Sequence, residues 1–79
     1  MNDARRRRLE DAQELIDRAQ RILEDVMEEE REAYENLPEG LQRSERGMQM
    51  FDNADFLDDL ITTIDACYCD ITCVIEGEV

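Results

Sequence analysis

The stretch "ENLPEGLQRSERG", residues 35–47, decides how this chain folds. On either side of it, charged and apolar residues recur with a helical period; within it the rhythm stops. Pro38 disfavours helical geometry at Leu37 and removes a backbone donor, so the preceding helix is predicted to end near Asn36. Pro38-Glu39-Gly40-Leu41 suits a single tight turn, with Gly40 free to adopt a positive φ. Ser44 then offers an N-cap for a second helix, with a later start after Asp52 as the alternative. Leu37 and Leu41 are expected to plug the open end of the core between the two helices.

Working outward, the first helix shows Leu9, Ala12, Ile16, Ala19, Leu23, Val26, Glu30 and Ala33 at alternating spacings of three and four. That is a heptad seam, widened by Leu15 and Ile22 and loosened by Glu29 and Glu30. The second helix carries Leu57, Leu60, Ile61, Ile64, Cys67, Tyr68, Ile71, Val74 and Ile75 in the same register, with Met50 extending the row backwards. From Thr62 onward the residues also favour strands, and Cys69, Ile71, Cys73 and Ile75 alternate as a strand would. The unbroken heptad from Leu57 to Ile75, and the want of a sheet for a lone strand to join, favour helix. The expected fold is all-α: one domain over residues 1–79, an antiparallel two-helix hairpin, coiled-coil-like, dimerising into a four-helix bundle. Its helices should span about residues 4–36 and 45–76 around a loop at 37–44, each roughly 45 Å long. Gly47 is expected to be a weak spot near the start of the second.

Composition bounds the function. Seventy-nine residues hold 22 acids and 9 basic residues, for a net charge of −13; every basic residue is arginine, and histidine is absent. Direct binding to nucleic acid or an anionic membrane is disfavoured, and a basic protein surface is the favoured partner. The charge is uneven: six arginines against five acids in residues 1–23 give +1, and three against 17 in residues 24–79 give −14. Arg5–Arg8 lead into Leu9-Glu10-Asp11-Ala12 rather than an apolar core, so they do not read as a signal peptide. No apolar run approaches the roughly 20 residues of a membrane span. The cytoplasm of a bacterial host cell is the expected location. In an antiparallel hairpin Arg5–Arg8 should lie beside Glu76, Glu78 and the terminal carboxylate.

Asn36-Leu37-Pro38-Glu39-Gly40-Leu41-Gln42 followed by Ser44-Glu45-Arg46-Gly47, flanked by "ILEDVMEEEREAYE" and "LDDLITTIDA", resembles a group of small acidic proteins of phages, prophages and related mobile elements. The resemblance covers roughly residues 22–66 and implies a helical hairpin of mobile-element origin. The group has no established activity, so no functional residue carries over. The chain departs from its pattern after Ala66.

Cys67-x-Cys69-x3-Cys73 is the one cluster of metal-ligand type. A tetrahedral zinc site needs about four ligands, and no histidine completes it, so neither metal nor cofactor is expected. Cys67 should face the core, with Cys69 and Cys73 outward as small packing residues. Those thiols also have no histidine base, which argues against an enzyme. The outward half of the second helix is short of charge, and Thr62, Ala66, Cys69 and Cys73 mark a possible interface for a second copy or a foreign protein.

The acidic residues form a stripe on the first helix: Glu10, Glu14, Asp17, Glu24, Glu28, Glu32 and Glu35, broken by Arg21 and with Asp25 beside it. One reading is solubility. The other is nucleic-acid mimicry, because carboxylates three or four positions apart on a helix stand about 5–6 Å from one another and suit a groove built for phosphates. The leading expectation is a non-enzymatic inhibitor acting as a nucleic-acid mimic on a host nucleic-acid-binding defence protein, such as a CRISPR effector (anti-CRISPR-like). The alternative is a homodimeric coiled-coil assembly factor, and a third is a metal- or redox-responsive protein.

Overall fold

A computed structural model describes residues 1–77 of the chain. It consists of α1 (Asp3–Glu35), a single helical turn α2 (Glu39–Gln42) and α3 (Glu45–Glu76). The two long helices run antiparallel side by side in a rod with extents of 58 × 19 × 13 Å. No helix among the described residues is long and apolar enough to cross a membrane.

Each long helix begins on a residue that supplies a missing acceptor. Asn2 caps α1, its side-chain oxygen accepting from the Arg5 N–H at 2.9 Å. Ser44 caps α3, its Oγ accepting from the Gly47 N–H at 3.2 Å. Such caps satisfy donors that the first turn leaves unpaired. α3 ends at Gly77, whose φ of 78° is a left-handed geometry that glycine adopts without steric cost. Helix persists through the Thr- and Cys-rich half of α3. Thr62 and Thr63 donate their hydroxyls to the Asp58 and Asp59 carbonyls at 3.2 and 3.0 Å, so these β-branched residues satisfy their polar groups within the helix.

The corner is tighter than the sequence suggests. Pro38 opens α2 instead of a β-turn, with Leu41 and Gln42 both donating to the Pro38 carbonyl. Gly40 therefore stays in the helical region, and positive φ occurs at Gly77 instead. Leu37 is half-buried, but Leu41 points outward and plugs nothing. α3 passes unbroken through Gly47, which is buried. A Cβ there would stand 2.5 Å from the carbonyl oxygens of both Leu41 and Gln42. Gly47 is a point of close backbone approach rather than a weakness.

The seam of α1 is also turned from its expected position. Leu9, Ala12, Ile16, Leu23, Glu30 and Ala33 are half-buried as expected, but the positions that alternate with Leu9, Ile16, Leu23 and Glu30 are Gln13, Gln20, Met27 and Tyr34, with Gln13 the most buried. Ala19 and Val26 are exposed. The shift rotates the buried stripe by about 50°. Two causes are visible. Gln13, only 8% exposed, donates its amide to the Tyr68 carbonyl at 3.1 Å and to Thr72 Oγ1 at 2.8 Å. Tyr34 also turns its ring onto Phe51 of α3 and shares a cleft with Ala54. On α3 the groove takes Met50, Leu57, Ile61, Ile64, Ile71 and Ile75, while Leu60, Cys67 and Val74 lie outside it. Cys67 thus faces solvent, not the core.

The core is thin. Ala54 is the buried apolar residue among those described, and no large side chain is fully buried. Arg6 Nε donates to the Ile75 carbonyl at 3.3 Å, satisfying an orphan acceptor at the end of α3. Of the acids expected beside Arg5–Arg8, Glu76 is exposed and forms no ion pair among the described residues, Arg6 pairing with Asp3 at 3.2 Å, while Glu78 and the terminal carboxylate lie outside those residues.

Candidate functional site: two unlike flanks of the hairpin

Gln13 with Tyr68, Arg6 with Ile75 and Tyr34 with Phe51 fix the register; the paired numbers add up to between 81 and 85. Positions whose numbers add to about 82 therefore lie level along the rod. In an antiparallel pair, residues bordering the seam on one side of the first helix share a flank with those on the matching side of the second. The hairpin accordingly has two flanks of different chemistry.

The first is acidic. α1 contributes Glu10, Glu14, Asp17, Glu24, Glu28 and Glu35, of which Asp17 and Glu24 are half-buried against the seam and the rest exposed. α3 contributes Asp55, Asp58 and Asp65, all exposed, which a stripe read along one helix leaves out. Their alternation with the groove residues Ala54, Leu57, Ile61 and Ile64 is the signal that points to them. Asp25 and Glu32 are exposed on the back of α1, off this flank. Nine carboxylates against Arg21 and Arg31 leave seven net negative charges between Glu10 and Glu35. Over the roughly 37 Å of helix between those residues, that is one charge per about 5 Å. A single nucleic-acid strand carries one per about 3.4 Å and a duplex one per about 1.7 Å. The flank therefore approaches the line density of one strand and falls well short of a duplex. Arg21 neutralises Asp17 locally, its Nη2 standing 3.0 Å from Asp17 Oδ2 along the same helix.

At its loop end the acidic flank holds an aromatic notch. The rings of Tyr34 and Phe51 meet at 5.5 Å with a tilt of 59°. They line a cleft with Ala54 and the charged rim of Arg31, Glu35 and Asp55. Phe51 is half exposed, an apolar anchor within a charged surface.

The second flank is apolar. Leu15, Ile22 and Phe56 are 63%, 62% and 65% exposed, with Val26 and Leu60 open beside them. The residues expected at an interface are placed elsewhere: Thr62 and Cys69 are exposed on the acidic side of α3, Ala66 on its back, and Cys73 is half-buried. The three cysteines are unpaired thiols, and no group of metal-ligating residues is gathered among the described residues. No family model matches the chain, and neither a curated protein nor a solved structure matches it.

Proposed function

We propose that the chain is a non-enzymatic binding protein whose acidic flank occupies a basic, phosphate-holding channel of a host nucleic-acid-binding protein, blocking it as a mimic of one nucleic-acid strand. The observation that carries this reading is the single-strand-like density of carboxylates along the Glu10–Glu35 flank, contributed by both helices. The notch at Tyr34 and Phe51 supports it, because exposed aromatic side chains beside charge are common anchors of protein interfaces. The resemblance of the 36–47 loop to mobile-element proteins supports a phage setting, in which a host defence protein is the fitting target.

A rod of fixed charge steers encounter with a basic surface, and its affinity falls steeply as salt rises. The test is capture of partners from a bacterial host lysate on the immobilised protein, followed by elution with single-stranded oligonucleotide. The reading expects a nucleic-acid-binding protein that the oligonucleotide displaces and that Glu14→Arg with Asp58→Arg no longer captures. Partners indifferent to both the oligonucleotide and the charge reversal would overturn it and favour the second reading, an assembly factor whose charge serves solubility. That second reading draws on the apolar flank.

A further inference from the structure

Among the described residues, nothing of its own chain lies against the apolar flank. We propose that its occupant is a second copy of the chain, laid on it end over end, so that the two loops sit at opposite ends of a four-helix bundle.

Charge and area point to burial. On α1 the flank positions between Arg8 and Glu29 are Ala12, Leu15, Ala19, Ile22 and Val26. On α3 those between Asn53 and Asp70 are Phe56, Leu60, Thr63 and Cys67. None is charged, in a chain of which 39% of residues are. The chain exposes 6193 Å². That is about 1200 Å² more than a compact monomer of its mass, while each partner in a standard interface gives up about 800 Å².

Shape selects a second copy. A two-fold axis in the plane of this flank, crossing the rod midway between residues 20 and 21, also crosses α3 midway between residues 61 and 62, because those points lie level. One axis thus serves both helices, as an isologous interface requires. It sets Phe56 against the partner's Cys67, Leu60 against the partner's Thr63 and Ile22 against the partner's Ala19, a large side chain on a small one each time. Leu15 meets the partner's Val26. Charge selects the end-over-end arrangement. It carries Arg5 and Arg8 over residues 33–36 of the partner, close to the partner's Glu29. Placing both loops at one end would stack the two arginine runs together. The dimer turns both acidic flanks outward, and the two proposals fail separately because they use opposite sides of the rod.

The test is sedimentation together with a distance between spin labels at Glu39→Cys, in the full chain carrying Cys67→Ala, Cys69→Ser and Cys73→Ser. The proposal expects a dimer with labels about 56 Å apart, twice the helical rise from the axis to residue 39. In the unsubstituted protein Cys67 should react with a thiol reagent far more slowly than Cys69. Ile22→Glu should weaken the dimer about a hundredfold or more, whereas Ala66→Glu should leave it unchanged. Should Ile22→Glu also lose helicity, as the thin core allows, the label distance and the Cys67 rate still decide. A monomer, a dimer with labels about 20 Å apart, or equal reactivity of Cys67 and Cys69 would overturn the proposal.

Discussion

Replacing Gly47 by alanine separates two effects of opposite sign. Alanine favours an interior helix position over glycine by about 1 kcal/mol, so α3 alone would gain from the change. The new Cβ would however stand 2.5 Å from both the Leu41 and Gln42 carbonyl oxygens and 2.8 Å from the Gln42 carbonyl carbon. All three are backbone atoms, so relief requires the α2–α3 junction to move. That junction is held by the Ser44 cap on the Gly47 N–H and by the Gln42 side-chain amide donating to the Tyr34 carbonyl at 3.2 Å. Overpacking costs about 1–3 kcal/mol and a lost cap about 1 kcal/mol. After subtracting the helical gain, Gly47→Ala should destabilise the hairpin by about 1–3 kcal/mol. With a urea m-value near 1 kcal/mol per molar, the midpoint falls by about 1–3 M. Gly40 is the control: it lies in α2, and a Cβ added there would meet nothing within 4 Å. Gly40→Ala should stabilise by up to about 1 kcal/mol. Helix content followed through urea unfolding, at one protein concentration because association contributes to stability, reads both variants. A Gly47→Ala protein as stable as the parent would refute the close approach of the corner to α3.

Three further outcomes follow from the same structure. Gln13→Ala and Thr72→Val should each lower stability by about 1 kcal/mol, and a double-mutant cycle should show them coupled, since one amide serves both Thr72 and the Tyr68 carbonyl. Ser44→Ala should cost about 1 kcal/mol through the lost cap, measured by the same unfolding curves. Added salt should raise the thermal midpoint, because a net charge of −13 repels itself and screening relieves the repulsion; a midpoint that falls as sodium chloride rises from about 0.01 to about 0.15 M would contradict this.

Much of the fold is legible in the sequence because Pro38 and the heptads are strong, local signals. Both long helices, the Ser44 cap and the antiparallel return follow from them. The rotation of α1 is not legible from hydropathy. Leu9, Ile16 and Leu23 serve either register, and the choice rests on whether the alternate positions are alanines or glutamines. Polarity favours the alanines, but Gln13 is buried because α3 supplies its partners, and Tyr34 finds Phe51 and Ala54 across the groove. That information sits up to 59 residues away in the chain, beyond the reach of local propensity. The same rotation explains the rest of the site: it moves Leu15, Ile22 and Val26 onto an open flank and brings Asp55, Asp58 and Asp65 beside the glutamates of α1. Gly47 hides its role for a similar reason, since its burial depends on a corner folded as α2 rather than as a turn.

The division of the rod into an acidic and an apolar flank depends wholly on that register, and nuclear Overhauser contacts in isotopically labelled protein test it directly. The account predicts contacts from the Gln13 side-chain amide to the Thr72 methyl and between the rings of Tyr34 and Phe51, with the Gln13 amide slow to exchange. Intramolecular contacts from the Ala19 methyl to Ile61 and Ile64, with a Gln13 amide that exchanges freely, would contradict it.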